Sequence, residues 1–100
     1  MSELCLTLLC PPAIEEKLLD VLLMSPNSPF FTSSPAAAHG LPIGNLNETE
    51  QVMGRARATE IKVIVAESEK TTLLDHIHQN FAGAGLRYWV TTVAESGEIA

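Results

Sequence analysis

The sequence predicts an α+β fold, a ferredoxin-like βαββαβ sandwich with an antiparallel four-stranded sheet and two helices on one face. Three observations predict it. Four segments read as strands: ELCLTLLC (3–10), FFTSSPAAA (30–38), the run that opens at Arg55, and LRYWVTTVA (86–94). Two segments carry apolar residues at helical spacing, and each falls between two strands. The middle strands are joined by a loop, which gives the order of a split βαβ sandwich. This architecture hosts many activities, so it carries no function by itself.

Residues 3–10 are short, apolar and stopped by Pro11-Pro12, as a buried strand would be. Pro12 suits a first helical turn, where its missing N–H costs nothing. Ile14, Leu18, Leu19, Leu22 and Leu23 then form an apolar stripe, with Glu15, Glu16, Lys17 and Asp20 on the other face. SPNSP (25–29) breaks this helix. The second strand runs from Phe30 to about Ala38, and Pro35 within it points to an edge position or a bulge. A loop follows over 39–47. Asn47 and Glu50 then resemble an N-cap pair opening a short helical turn that Gly54 ends. From Arg55 the chain alternates, with Ile61, Val63 and Val65 on one face and Glu60, Lys62 and Ile64 on the other. Ser68 and Glu69 open a second helix with the stripe Leu73, Leu74, Ile77, Phe81 and Ala84, and Gly83 and Gly85 mark its exit. Aromatic and β-branched residues make 86–94 the last strand. The ESGEIA tail is polar.

One hundred residues, 46% of them hydrophobic, make one globular domain over 1–100. Six basic against twelve acidic residues give a formal charge of −6, a sign that repels phosphate backbones and excludes nucleic acid as the expected partner. Cys5 and Cys10 have neither zinc-ribbon nor redox spacing. Their odd offset along a strand sends them to opposite faces, as two small hydrophobes in a reducing compartment. The N-terminus lacks the pattern of a signal peptide, and no run reaches the ~18 apolar residues of a membrane span. The expectation is a cytoplasmic protein that is not membrane-inserted.

No nucleophile–base arrangement, Walker loop or argued carboxylate pair is readable, so the expected protein is not an enzyme. His76 and His78 lie two apart on a helix, roughly 200° apart, and cannot chelate one ion together. They read as surface or interface residues. His39-Gly40 falls at the root of the central loop, as a turn residue beside a permissive glycine or as a ligand for a metal or an anion. Arg55 and Arg57, at alternate strand positions, project to one face. There they either grip a phosphate or carboxylate, or pair with Glu48, Glu50 or a neighbouring subunit. AGAGLRYW (82–89) is a glycine turn whose backbone N–H groups can receive a phosphate, or a plain helix stop. Tyr88 and Trp89 read as sheet or interface packing.

Taken together these pieces resemble the PII-like superfamily of small trimeric signalling proteins over nearly the whole chain. FFTSSPAAAHG is similar to the PII second strand, LPIGNLNETEQVMGR takes the place of the T-loop (39–54), and AGAGLRYWVTTVAESGE resembles the segment from the B-loop into the last strand. Phe31-Thr32, His39-Gly40, Glu50-Gln51-Val52, Gly54-Arg55, Phe81 and Tyr88-Trp89 are similar to an uncharacterised PII-like family often encoded beside heavy-metal efflux pumps. The resemblance implies a non-enzymatic homotrimer that binds a small ligand between subunits and acts through loop 39–54, with an efflux component as protein partner. It implies a cleft lined by His39, Gly40, Gln51, Arg55, Arg57, Gly83, Gly85 and Arg87. Where PII proteins carry a lysine in the B-loop this chain has Ala82 and Ala84, and its last segment is acidic. The implied ligand is therefore a divalent or copper ion, with His39 as metal ligand, ahead of a nucleotide. The alternative is a CutA-type metal-binding, cation-tolerance protein of the same trimeric fold.

Overall fold

The computed structural model of the protein describes residues 2–25, 29–40 and 55–100. Its elements run β1 (Glu3–Cys10), a 3-10 turn (Pro12–Ile14), α1 (Glu15–Met24), β2 (Phe30–His39), β3 (Arg55–Ala66), α2 (Glu67–Phe81) and β4 (Arg87–Val93). The strands form one antiparallel sheet in the order β2-β3-β1-β4. The expected α+β, ferredoxin-like arrangement is thus present, with each βαβ unit split by a strand lying between its two strands.

Alternation along the central strands builds the core. Leu4, Leu6 and Leu8 of β1 stand opposite Val65, Val63 and Ile61 of β3, and all six are buried. Leu18 and Leu22 of α1 and Leu73, Ile77 and Phe81 of α2 cover that face. Each such side chain contributes roughly 1.5–3 kcal/mol on burial. The other face of the sheet carries no described helix. It presents Cys5, Leu9, Ile64 and the more exposed Phe30 (72%) and Trp89 (43%). The cysteines divide as their spacing requires: Cys10 is buried under the helices, Cys5 is half-buried, and neither forms a disulfide. Pro35 lies in edge strand β2, and the β2–β3 register passes it without a bulge.

Some details differ from the sequence expectation. Pro12 opens a 3-10 turn, and the α-helix proper begins at Glu15. Leu23 is 61% exposed, because the covered stripe of α1 narrows to Leu18 and Leu22, one helical turn apart. Ser25 ends α1 by donating its hydroxyl to the Val21 carbonyl at 2.7 Å. The second helix starts at Glu67 rather than Ser68. Its first N–H is satisfied by the Ser2 carbonyl at 3.0 Å, so no side-chain cap is needed. β2 runs through His39, one residue into the expected loop 39–54; residues 41–54 of that loop, with the expected turn at 47–53, lie outside the described residues, as do 26–28 of the SPNSP break.

Candidate functional site

The site begins with a difference in strand length. Pro11 and Pro12 end β1, so the last β1–β3 pair is Cys10 with Thr59. β2 and β3 continue past it as a two-stranded ribbon through Ala36–Ala58, Ala37–Arg57, Ala38–Ala56 and His39–Arg55. On the far side, β4 begins only at Arg87, opposite Leu9. Beyond the end of β1, β3 and the lead-in to β4 therefore face one another with one strand missing between them.

That gap is a cleft of about 690 Å³. Cys10 and Pro11 lie at its base, Ala56, Arg57 and Ala58 form one wall, and Gly83, Gly85, Arg87 and Tyr88 form the other. Two glycines shape the second wall. Gly83 (φ 78°) and Gly85 (φ 83°) both occupy the left-handed region that other residues rarely adopt. A Cβ at Gly83 would meet open space, and one at Gly85 would lie 3.6 Å from Pro11 Cγ. The Ala84 N–H between them donates to the Phe81 carbonyl at 3.1 Å, closing the turn on the end of α2.

The electrostatics are one-sided. Two arginines line the cleft and none of its described lining residues is acidic, within a chain of formal charge −6. Just below the base, burial and then the charge of Glu15 push the Cys10 thiol up to about 11, so it stays protonated and unreactive near neutral pH. Thr59 donates its hydroxyl to the same Glu15 carboxylate. The rim carries an aromatic contact: the His78 and Tyr88 rings meet edge-on, 6.1 Å between centroids at 90°. His78 Nδ1 lies 3.0 Å from the Leu74 carbonyl and donates to it. His76 and His78 are both exposed.

Of the residues expected in the site, Arg57, Gly83, Gly85 and Arg87 line this cleft within one chain. His39, Gly40 and Arg55 stand at the outer end of the ribbon, with His39 directly opposite Arg55. Gln51 lies outside the described residues. Cys10, Pro11 and Tyr88 were not anticipated. Their signal was the mismatch between an eight-residue β1 closed by two prolines and a twelve-residue β3. Among the described residues, no group of three or more His, Cys, Asp or Glu side chains is placed to hold a metal ion. No described helix is long and apolar enough to cross a membrane.

A family model described as "Protein of unknown function (DUF3240)" matches residues 1–100. The chain belongs to the DUF3240 family. No curated protein matches it. Among solved structures it is similar to a DUF3240 family protein from Shewanella baltica OS155, with a TM-score of 0.82 and 14% identity over 100% of this chain and 99% of that one. It is also similar to part of a Bacillus cereus protein related to NIF3, with a TM-score of 0.69 and 14% identity over 97% of this chain and 26% of that one. At such identities the likeness to both is one of fold. For this DUF3240 protein, the chemistry must therefore be argued from its own cleft.

Proposed function

We propose that this DUF3240 protein is a non-enzymatic, PII-like regulator that binds a small anionic ligand in the cleft between the β2–β3 ribbon and the glycine turn. The observation that carries the reading is the placement of Arg57 and Arg87 on facing walls of the cleft, with Arg87 beside a turn held at positive φ by Gly83 and Gly85. Guanidinium groups bind carboxylate and phosphate through paired N–H donors, and exposed backbone N–H groups add to them. A ligand there touches the ribbon through Arg57 and the body through Arg87, which ties occupancy to the position of the chain leading into loop 41–54. Self-association as a homotrimer is the accompanying reading, supported by the exposed apolar side chains of Phe30 and Trp89 on the helix-free sheet face. The link to heavy-metal efflux rests on the PII-like resemblance and supplies the partner to be tested.

The test is a thermal-shift titration of the wild type, Arg57→Ala and Arg87→Ala with phosphate, ATP, ADP, AMP and the ions of Cu, Zn, Ni and Co. A ligand that binds only the folded state raises the midpoint as its concentration passes Kd. The reading expects an anion to shift the wild type and both variants to lose most of the shift. A shift with a metal alone, abolished by His39→Ala, replaces it with the CutA-type reading. Light scattering of the same samples checks the trimer.

A further inference from the structure

β4 is an outermost strand of the sheet, with β1 on one side and no described strand on the other. Apart from Arg87 its seven residues, RYWVTTV, are all aromatic or β-branched. Proteins blunt such an edge with proline, lysine, a bulge or a very short strand, because its unpaired N–H and C=O groups recruit another chain. The opposite edge strand, β2, contains Pro35, whereas β4 has none of these devices and runs in unbroken register with β1. Tyr88 and Trp89 are left 45% and 43% exposed. Glu95 lies just past the strand, and neither it nor Arg87 forms an ion pair among the described residues.

We propose that two copies of this chain join through β4, edge to edge and antiparallel, about a two-fold axis at Thr91. The inference goes beyond the proposed function, since it concerns the sheet edge and not the cleft. A two-fold axis between like strands brings together residues of the same face, so it passes through a residue and never between two. Centred on Thr91, the pairing sets Trp89 against Val93 of the other copy, Thr91 against Thr91, and Arg87 against Glu95. These are an aromatic–β-branched pair, a threonine pair and an opposite-charge pair, three kinds that stabilise antiparallel neighbours. Centring on Val90 or Trp89 sets Arg87 against Val93 or Thr91 instead, and leaves both charges without a directly opposed partner. A second copy is the occupant the charges select. Each strand carries one cation and one anion, spaced so that the symmetry pairs both. Single chains joined this way give dimers and trimers joined this way give hexamers, so the number of copies is even.

The experiment is sedimentation velocity over a range of concentrations, without added ligand, on the wild type, Glu95→Arg and the charge swap Arg87→Glu/Glu95→Arg. An even-numbered species is expected, weakened roughly tenfold or more by Glu95→Arg, because the symmetry makes the substitution act at both ends of the pairing. The swap is expected to restore it. Circular dichroism confirms that both variants are folded. Residues on the axis lie about 5 Å apart at Cα, within reach of a disulfide. Thr91→Cys, made in a Cys5→Ser background because Cys5 pairs with Thr91 inside the chain, is therefore expected to cross-link two copies on mild oxidation. Wild-type protein that stays monomeric or trimeric at every concentration overturns the proposal. So does association that Glu95→Arg and the swap leave unchanged.

Discussion

Thr59 of β3, opposite Cys10 in the register, donates a hydrogen bond to the carboxylate of Glu15 in the first turn of α1, a tie across 44 positions in sequence. It fixes where the helix starts relative to the strand that carries Arg57. Thr59→Val keeps the shape and removes the donor. The expected loss is about 1 kcal/mol, as for a partly buried hydrogen bond. Urea denaturation of the two proteins measures it, and an unchanged midpoint would show the bond to be energetically empty.

The Cys10 thiol, pushed by burial and by Glu15 from its ordinary 9.0 to about 11, makes stability depend on alkaline pH. Below pH 9 both folded and unfolded states hold the proton, and the thiol's contribution is complete. Between 9 and 11 the unfolded thiol ionises first, so stability falls across that window and levels off above it. Cys10→Ala is expected to remove this component of the slope, and Glu15→Gln to reduce it. Alkylation at pH 8 should label half-buried Cys5 well before Cys10, which becomes accessible only on unfolding. Equal labelling of both in the native protein would contradict the placement of Cys10.

Neighbouring leucines at the end of α1 should behave oppositely. Leu22 is fully buried and Leu23 is 61% exposed. Leu22→Ala is expected to cost about 2–5 kcal/mol and Leu23→Ala under about 0.5 kcal/mol in the monomer. A large effect of Leu23→Ala that depends on protein concentration would place that residue in a contact between copies.

Glycines of the second wall are sensitive for a backbone reason. Gly83→Ala meets open space, yet φ stays at 78°, so a cost of about 1 kcal/mol is expected from conformation alone. Gly97→Ala, where neither crowding nor positive φ applies, should fall within about 0.5 kcal/mol of wild type. Thermal midpoints of the two variants make the comparison directly.

Periodicity made most of this fold legible. The alternation of Ile61, Val63 and Val65 and the stripe of Leu73, Ile77 and Phe81 each name the buried face, because burial against one neighbour imposes a single period. Pro35 marked an edge for a local reason, its missing donor. The start of α2 was misplaced by one residue because its first N–H is satisfied from Ser2, a contact between distant residues that no local pattern contains. The site was legible in part for the same reason. Arg57 and the glycine turn declare their chemistry individually, and the PII-like resemblance grouped them with Arg87; all four line the candidate cleft. That they share a cleft while His39 and Arg55 stand further out depends on where β1 stops relative to β3, a property of register between strands fifty residues apart.

The alanine-rich ribbon leaves the sheet already zipped. Its last anchoring row is Cys10–Thr59, and four further β2–β3 pairs follow, the last of them His39–Arg55. The ends of segment 41–54 are thus held together by a scaffold that does not depend on what the segment contains. Closing a longer connection between fixed ends costs little, roughly 0.6 kcal/mol for each doubling. A change of length between those fixed ends is therefore expected to cost the fold little, so the ribbon works as a socket.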